Sequence, residues 1–186
     1  SAGFIGFHLT RELLKLGFQV VGIDNLNDYY DPKLKLDRLT FLNEFVSKHK
    51  IEEAYRFFEL DISNEVTLRK LFKDHSFDIV VNLAAQAGVR YSLKNPQAYI
   101  NSNLVGFSNI LECFRNFKIE HLLFASSSSV YGMNIKQPFS TDDNTDYPIS
   151  LYAATKKSNE ILAHSYSHLF SIPCTGLRFF TVYGPY

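Results

Sequence analysis

Tyr152 and Lys156 lie four residues apart in a segment, residues 152–170, whose apolar spacing predicts a helix. Residues four apart on a helix share one face, so the ammonium of Lys156 is expected beside the phenol of Tyr152. A nearby positive charge favours the phenolate, and a phenolate accepts protons, so the pair indicates a general base. The alternative is an ordinary solvent-facing pair of two common residue types.

Four consecutive serines follow a predicted strand at residues 121–125: Ser126, Ser127, Ser128 and Ser129. Alone, they fit the polar end of a strand. Their order along the chain, with a loop and then the helix of Tyr152 after them, predicts that hydroxyls, phenol and ammonium meet at the carboxyl edge of one sheet. Open parallel sheets bind their ligands at that edge.

Gly3 and Gly6 lie in a glycine-rich turn that enters a predicted helix, and Asp24 ends the next predicted strand. An offset of about 20 residues is typical of a dinucleotide-binding turn and the acid that accepts ribose hydroxyls. The bare backbone and helix start suit a pyrophosphate, and a carboxylate repels a 2′-phosphate, which favours NAD over NADP. The alternative is close helix packing at the glycines, with Asp24 as a turn residue.

Apolar strand-like runs alternate with segments of helical period, a pattern typical of βα units and of a parallel sheet with helices on both faces. Strands are predicted at residues 19–23, 56–60, 77–83, 121–125 and 174–177. Helices are predicted at residues 5–15, 34–45, 66–74, 100–117 and 152–170. Gly17 is predicted to end the first helix, and Ser63 to cap the third.

Composition excludes several classes of protein. With 186 residues, 46% of them hydrophobic, the chain predicts one globular domain with a real core. The 19 basic residues equal the 19 acidic ones, which gives no case for nucleic acid or an anionic membrane as a partner. Cys113 and Cys174 are too few for a disulfide framework or a thiolate metal site, so reduced thiols, no metal and a cytoplasmic location are expected.

The ordered motifs resemble the extended short-chain dehydrogenase/reductase family of nucleotide-sugar epimerases and dehydratases, over essentially the whole chain. The matching segments are residues 1–6, 61–62, 82–85, 126–132, 152–156 and 177–180. Residues 22–31 and 86–92 are more similar to the UDP-glucuronate 4-epimerases than to the UDP-galactose 4-epimerases. The resemblance implies an α/β, Rossmann-like, doubly wound parallel sheet with helices on both faces, and NAD as cofactor.

The resemblance also implies roles for matching positions. Cofactor contacts are implied for Gly3, Phe4, Ile5, Gly6, Asp24, Asn25, Asp61, Ile62, Leu83, Ala84, Ala85, Asn103, Tyr152, Lys156 and Phe179. Catalytic roles are implied for Tyr152 as base, Ser127 as partner of the reacting hydroxyl and Lys156 as holder of the nicotinamide ribose. The sugar side is implied for Arg90, Ser127, Ser128, Tyr152 and Thr181. The alternatives are an ordinary exposed arginine at Arg90 and a polar helix residue at Asn103.

Ser128 and Ser129 depart from part of the family. In the dehydratases and the related decarboxylase, acidic residues occupy one or both positions, and elimination needs an acid that protonates the leaving hydroxyl. Two serines therefore disfavour dehydration and favour a reaction that moves only a hydride and one proton at a single carbon. Together with the similarity of residues 22–31 and 86–92, this implies NAD-dependent interconversion of UDP-glucuronate and UDP-galacturonate through a 4-keto intermediate. The alternatives are another epimerase, dehydratase or decarboxylase of this family acting on a different nucleotide sugar, and a non-catalytic NAD-binding module.

The family pattern has a strand and a glycine before Ser1, and a substrate-binding region after Tyr186. Residues 1–186 are therefore expected to be a fragment, an NAD-binding Rossmann domain that lacks its first strand and that needs the other parts for activity. The implied partners are a UDP-sugar and, at full length, a second copy of the chain through the helices at 100–117 and 152–170. Enzymes of this family commonly supply polysaccharide synthesis.

Overall fold

The computed structural model describes all residues from Ser1 to Tyr186, and helices and strands alternate along the chain. The strands are β1 (Val20–Asp24), β2 (Tyr55–Glu59), β3 (Ile79–Asn82), β4 (His121–Ser127) and β5 (Cys174–Phe179). The α-helices are α1 (Phe4–Lys15), α2 (Pro32–His49), α3 (Glu65–Asp74), α4 (Pro96–Tyr99), α5 (Gly106–Asn116) and α6 (Leu151–Phe170). The chain divides into two compact units, a first of Ser1–Asp61 with Val182–Tyr186 and a second of Ile62–Thr181.

The first unit is built on a parallel ladder of β1 and β2, in which Val20 lies opposite Tyr55 and Asp24 opposite Glu59. Its core is formed by side chains from α1, α2 and β2. The buried members are Phe7, Leu14, Leu42, Val46 and Tyr55. Burial of such side chains holds both helices on the strands. The parallel pairing brings the carboxyl ends of β1 and β2 to one edge.

The second unit is built on a parallel ladder with the order β3, β4, β5, so β4 is the central strand. Phe107 of α5 packs on Phe124 of β4 with ring centroids 5.1 Å apart. At the carboxyl end of the ladder, Ser127 is the register partner of Phe179. None of the helices in the chain has both the length and the continuous apolar character that a bilayer span requires.

All five predicted strands are present, with ends that differ by at most two residues, and their parallel pairing confirms the predicted α/β class. The hydrogen-bonded ladders form two sets, β1 with β2 and β3 with β4 and β5, rather than one continuous ladder. Apolar runs identify strands, but they do not identify strand neighbours, because pairing depends on tertiary contacts.

Three predicted helix boundaries need correction. The helix predicted to end at residue 45 continues for one more turn, to His49. Asn64 rather than Ser63 caps α3, because its side chain accepts a hydrogen bond from the Thr67 amide at 3.2 Å. The helix predicted at 100–117 begins earlier, at Pro96, and passes through a π-helical segment (Ile100–Val105) before α5. Asn95 caps this start, and Pro96 occupies the first helical position, where proline is favoured. The spacing of apolar residues does not reveal such a start.

Gly132 follows the short 3-10 helix Ser128–Tyr131 with a φ of +54°, and a β-carbon there would collide with the carbonyl oxygen of Tyr147. We expect Gly132→Ala in the full-length protein to lower the free energy of unfolding by at least about 3 kcal/mol, because backbone strain adds to the collision. Urea unfolding measures the loss.

Gly17→Ala is the matched control for this substitution. Gly17 has a φ of +85°, which ends α1 as predicted, but nothing lies within 4 Å of the position of its β-carbon. The expected loss is therefore only about 1 to 2 kcal/mol, the cost of a left-handed alanine. Equal losses in the two variants would show that the collision at Gly132 has no effect on stability.

Candidate active site

The glycine turn of the first unit forms the start of α1. Gly3 is its N-cap residue and accepts the first helical hydrogen bond, from the Phe7 amide to the Gly3 carbonyl oxygen at 2.8 Å. The amides of Phe4, Ile5 and Gly6 precede that bond, so they have no carbonyl partner within the helix. The first turn contains no acidic residue. This helix start therefore offers amide donors and partial positive charge to an anion.

Gly3 and Gly6 have different surroundings. A β-carbon on Gly3 would meet only the Asp24 carboxylate, with Oδ2 at 4.0 Å, so the start of α1 is open. A β-carbon on Gly6 would lie 3.3 Å from the Cα of Ser1, so Gly6 allows close packing of backbone on backbone. The predicted turn is thus confirmed in its local form, with Gly3 at the open position.

Asp24, Asn25 and Asp61 meet at the carboxyl ends of β1 and β2. The Asp24 Oδ1 accepts hydrogen bonds from the Leu26 amide at 2.9 Å and from Lys35 Nζ at 3.1 Å. Asn25 donates from Nδ2 to Asp61 Oδ2 at 2.8 Å. The carboxylate of Asp24 is therefore held in one orientation, with Oδ2 directed toward Gly3.

Lys35 and Arg38 are buried cations of this edge that the sequence analysis missed. Lys35 forms an ion pair with Asp24, and its ammonium also donates to Asn27 Oδ1 at 3.0 Å. Arg38 donates to the Ala2 carbonyl oxygen at 3.0 Å, while its buried Nε has no hydrogen-bond partner. Helical spacing could have identified them, because both cations lie on the same buried face of α2 as Leu42 and Val46.

Ile62 and the segment after β3 belong to the second unit. The Ile62 side chain is buried under α5, where a β-carbon on Gly106 would lie 2.6 Å from its Cγ1. Leu83, Ala84 and Ala85 follow β3 without regular secondary structure and are half-buried or exposed. Residues 83–85 are thus accessible to solvent at the carboxyl end of β3, whereas Ile62 packs against α5.

Asn103 is a buried amide of the second unit, and the cofactor contact implied for it stays a prediction. It lies in the π-helical segment, only 1% exposed, and its Oδ1 accepts from the Gln86 amide at 2.8 Å. Its Nδ2 donates to the Gln86 carbonyl oxygen and to Thr155 Oγ1, both at 3.0 Å. Because both amide hydrogens are bound by protein groups, Asn103 joins the segment after β3 to α6.

Ser127, Tyr152 and Lys156 come together at the carboxyl end of β4, as the sequence predicts. Ser127 is the last residue of β4, and Tyr152 lies in the first turn of α6, which Ser150 caps by accepting from the Ala153 amide at 3.0 Å. Lys156 is 4% exposed, and its ammonium donates to the Ala125 carbonyl oxygen at 2.8 Å.

Burial shifts the pKa values of both Tyr152 and Lys156. Burial raises the pKa of Tyr152, and a hydrogen bond with the Ser127 side chain acts in the opposite direction. Burial lowers the pKa of Lys156 to about 8. Burial therefore outweighs the effect of Ser127 on the pKa of Tyr152, and the Lys156 ammonium is turned to the Ala125 carbonyl oxygen. An effect of Lys156 on the phenol stays a prediction.

The residues predicted for the sugar side lie in three places within the second unit. Ser128 begins the short 3-10 helix after β4 and is half-buried. Thr181 is exposed two residues after Phe179, the half-buried last residue of β5. Arg90 is exposed and precedes a 3-10 turn at Tyr91–Leu93. Ser128 and Phe179 thus lie beside Ser127, while Arg90 belongs to a separate surface segment.

A parallel α/β fold with a serine, tyrosine and lysine at the carboxyl end of a central strand, and a glycine turn with an acidic strand end, defines a class of dinucleotide-dependent enzymes. The model of the NAD dependent epimerase/dehydratase family matches residues 1–186, and the chain belongs to that family.

Known relatives agree with this assignment. The chain is 57% identical over 186 residues to protein CapI of Staphylococcus aureus, covering 100% of this chain and 53% of that protein. It is 50% identical over 187 residues to a UDP-glucuronate 4-epimerase of Arabidopsis thaliana, covering 100% of this chain and 41% of that protein. The chain thus spans about half the length of the curated relatives it matches.

A solved structure supports the fold. The UDP-glucuronic acid 4-epimerase of Bacillus cereus, in complex with UDP-glucuronic acid and NAD, is 38% identical and superposes with a TM-score of 0.85 over 99% of this chain and 55% of that chain. The Rossmann-like class predicted from the sequence is therefore confirmed.

NAD is the cofactor of the family, and the residues present fit it. In the first unit, the free amides at the start of α1 fit a pyrophosphate, and Asp24 Oδ2 fits a ribose hydroxyl. In the second unit, the Lys156 ammonium uses one of its three hydrogens on Ala125, which leaves donors for other acceptors.

The burial of Lys156 predicts a pH-dependent stability. The folded protein releases the Lys156 proton near pH 8, whereas the unfolded chain keeps it to the ordinary pKa of 10.5. Above pH 8 the unfolded state thus binds more protons, and stability rises with pH. Relative to Lys156→Met, the wild-type full-length protein is expected to gain about 2 kcal/mol in free energy of unfolding between about pH 7.5 and 9.5.

Urea unfolding of both proteins across this pH range measures the difference, and groups that titrate alike in both proteins cancel. A difference that stays constant with pH would contradict the lowered pKa of Lys156.

Proposed function

We propose that the full-length protein is an NAD-dependent UDP-glucuronate 4-epimerase that interconverts UDP-glucuronate and UDP-galacturonate. The observation that carries the proposal is the group of Ser127, Tyr152 and Lys156, a serine hydroxyl at the end of β4 and a half-buried phenol with a buried ammonium one turn along α6. Such a group suits removal of a proton from a hydroxyl. The similarity to UDP-glucuronate 4-epimerases supports the choice of sugar.

In this mechanism Tyr152 is the base that takes the proton of the sugar 4-hydroxyl. Its raised pKa makes the phenolate a stronger base but a less populated one at neutral pH. The chemistry that NAD supplies when bound is reversible acceptance of a hydride from C4, which leaves a 4-keto sugar. Tyr152 then returns the proton to the 4-hydroxyl formed on the other face.

Ser127 and Lys156 assist that proton transfer. The Ser127 Oγ accepts a hydrogen bond from the Ser129 amide at 3.1 Å, which leaves its own hydrogen free to donate toward the phenol or the sugar hydroxyl. Lys156 holds the nicotinamide ribose through its remaining donors and supplies positive charge near the phenolate. Phe179, the register partner of Ser127, is proposed to lie beside the nicotinamide.

Ser128 and Ser129 limit the reaction to the oxidation and reduction of one carbon. Neither hydroxyl is an acid at neutral pH, so neither protonates a leaving hydroxyl as a dehydratase requires. Arg90, Ser128 and Thr181 are proposed to contact the sugar. The dinucleotide contacts proposed from the resemblance are those of Gly3 to Gly6, Asp24, Asn25, Asp61 and the segment 83–85.

The proposal includes a homodimer of the full-length protein in the cytoplasm. Ile161 and Leu169 are exposed apolar side chains on α6, which the same helix of a second copy would cover. Cys113 and Cys174 are free thiols, and burial raises both of their pKa values, Cys113 to about 11. Such unreactive thiols suit a reducing compartment.

The substrate is tested by incubating the full-length protein with UDP-glucuronate and, separately, with UDP-glucose and UDP-N-acetylglucosamine, while proton NMR follows the C4 stereochemistry. Conversion of UDP-glucuronate alone, without net NADH, is the expected result. Conversion of another sugar instead would keep the mechanism and overturn the substrate. No conversion of any sugar by protein that still binds NAD would favour a non-catalytic NAD-binding module.

The role of Tyr152 is tested by Tyr152→Phe in the full-length protein. Loss of the only proposed base is expected to lower kcat by roughly a hundred-fold or more, with a small change in KM, because the phenyl ring still fills the site. Tyr147→Phe is the matched control, since Tyr147 is exposed and lies in the loop before α6. Undiminished turnover of Tyr152→Phe would exclude Tyr152 as the base.

A further inference from the structure

Glu160 shares a face of α6 with the two residues of the proposed mechanism, four positions after Lys156 and eight after Tyr152. Its Oε1 accepts hydrogen bonds from Ser126 Oγ at 2.6 Å and from Arg178 Nε at 2.9 Å. Its Oε2 accepts from Arg178 Nη2 at 3.0 Å. A guanidinium that binds both oxygens of a carboxylate fixes direction as well as distance.

Both partners of Glu160 are neighbours of residues at the active site. Ser126 precedes Ser127 on β4, and Arg178 precedes Phe179 on β5, while Ser126 and Arg178 are themselves register partners. The Arg178 guanidinium also lies over the Tyr131 ring, 5.0 Å from its centroid. One carboxylate therefore joins α6 to β4 and β5 at the carboxyl edge of the ladder.

The group is shielded and charged. The side chains of Arg178 and Glu160 are 19% and 17% exposed, which limits screening by water and salt. Burial raises the pKa of Glu160, but the hydrogen bonds from Arg178 and Ser126 outweigh burial and hold that pKa below its ordinary value. The ion pair is therefore intact at neutral pH.

The position of Tyr152 depends on how α6 lies on β4. On this face the helix has two polar links to the strand, Lys156 to the Ala125 carbonyl oxygen at 2.8 Å and Glu160 to Ser126. Two links one turn apart resist sliding and rotation of the helix on the strand, and loss of one of them weakens that restraint. A displacement of about 1 Å at a reacting group can lower a rate a hundred-fold.

We propose that Glu160, bound to Ser126 and Arg178, is a positioning residue that holds the Tyr152 phenol in register with Ser127. The group of Glu160, Ser126 and Arg178 touches neither the sugar nor the cofactor, and it acts through the placement of α6. This role rests on the proposed function for its effect on turnover, but the placement of Tyr152 is measurable without turnover.

The test compares wild-type full-length protein with Glu160→Gln, which keeps the size of the side chain and removes its charge. We expect kcat to fall roughly ten- to a hundred-fold with KM changed less than about two-fold, because binding groups stay in place while the base is displaced. The second readout is ¹⁹F NMR of protein labelled with 3-fluorotyrosine, with the Tyr152 signal identified by its loss in Tyr152→Phe. We expect Glu160→Gln to shift or broaden that signal.

Two further variants keep the test decisive. Glu53→Gln is the matched control, since it makes the same change in the exposed ion pair with Arg56, at 3.6 Å, and should alter neither readout. Ser126→Ala removes a single hydrogen bond and serves if Glu160→Gln fails to fold. It should lower kcat in the same direction and disturb the same Tyr152 signal.

An unchanged Tyr152 signal in the folded variants would overturn the positioning role, whatever happens to turnover. So would an unchanged kcat beside a changed signal, or a loss of activity that follows a loss of folded protein in both Glu160→Gln and Ser126→Ala. If the wild-type protein converts no nucleotide sugar, the proposed function fails, and the Tyr152 signal alone decides whether Glu160 positions the phenol.

Discussion

The hydrogen bond from the Lys156 ammonium to the Ala125 carbonyl oxygen is the interaction on which the arrangement of the second unit depends. A buried cation costs stability, as its lowered pKa indicates, and other packing must offset that cost. This hydrogen bond attaches α6 to the central strand at Ala125, immediately before Ser126 and Ser127. Because Tyr152 lies one turn earlier on the same helix, this bond brings the phenol to the strand end where the serine hydroxyls lie.

In each unit, polar side chains that form hydrogen bonds hold the segments at the strand ends in place. Asn103 binds both backbone groups of Gln86 and the side chain of Thr155, so it joins the segment after β3 to the helix α6. The first unit uses the same means at its strand end, where Lys35 holds the carboxylate of Asp24. Such buried polar groups specify one geometry because any other leaves a donor or charge unpaired.

Much of the fold and of the candidate site could be predicted from patterns of residues that are close together in the sequence. The five strands, the end of α1 at Gly17 and the order of serines, Tyr152 and Lys156 were all predictable, because strand and helix periods and motif spacing are local properties. The meeting of Ser127 with Tyr152 also followed, since parallel strands bring their carboxyl ends to one edge. The starts of helices were harder to predict from the sequence. Ser63 and Asn64 are both suitable N-cap residues, and the structure shows that Asn64 caps α3.

By itself the sequence determined the family, the α/β class and the residue types available for chemistry. Only the tertiary structure decided which of them are buried and what they bind. It buried Asn103, paired Asp24 with Lys35 and raised the pKa of Tyr152 through burial. The reason is physical: burial and charge pairing depend on groups far apart in the chain, such as Asn103 and Thr155, 52 residues apart, whereas a local pattern describes only neighbours along it.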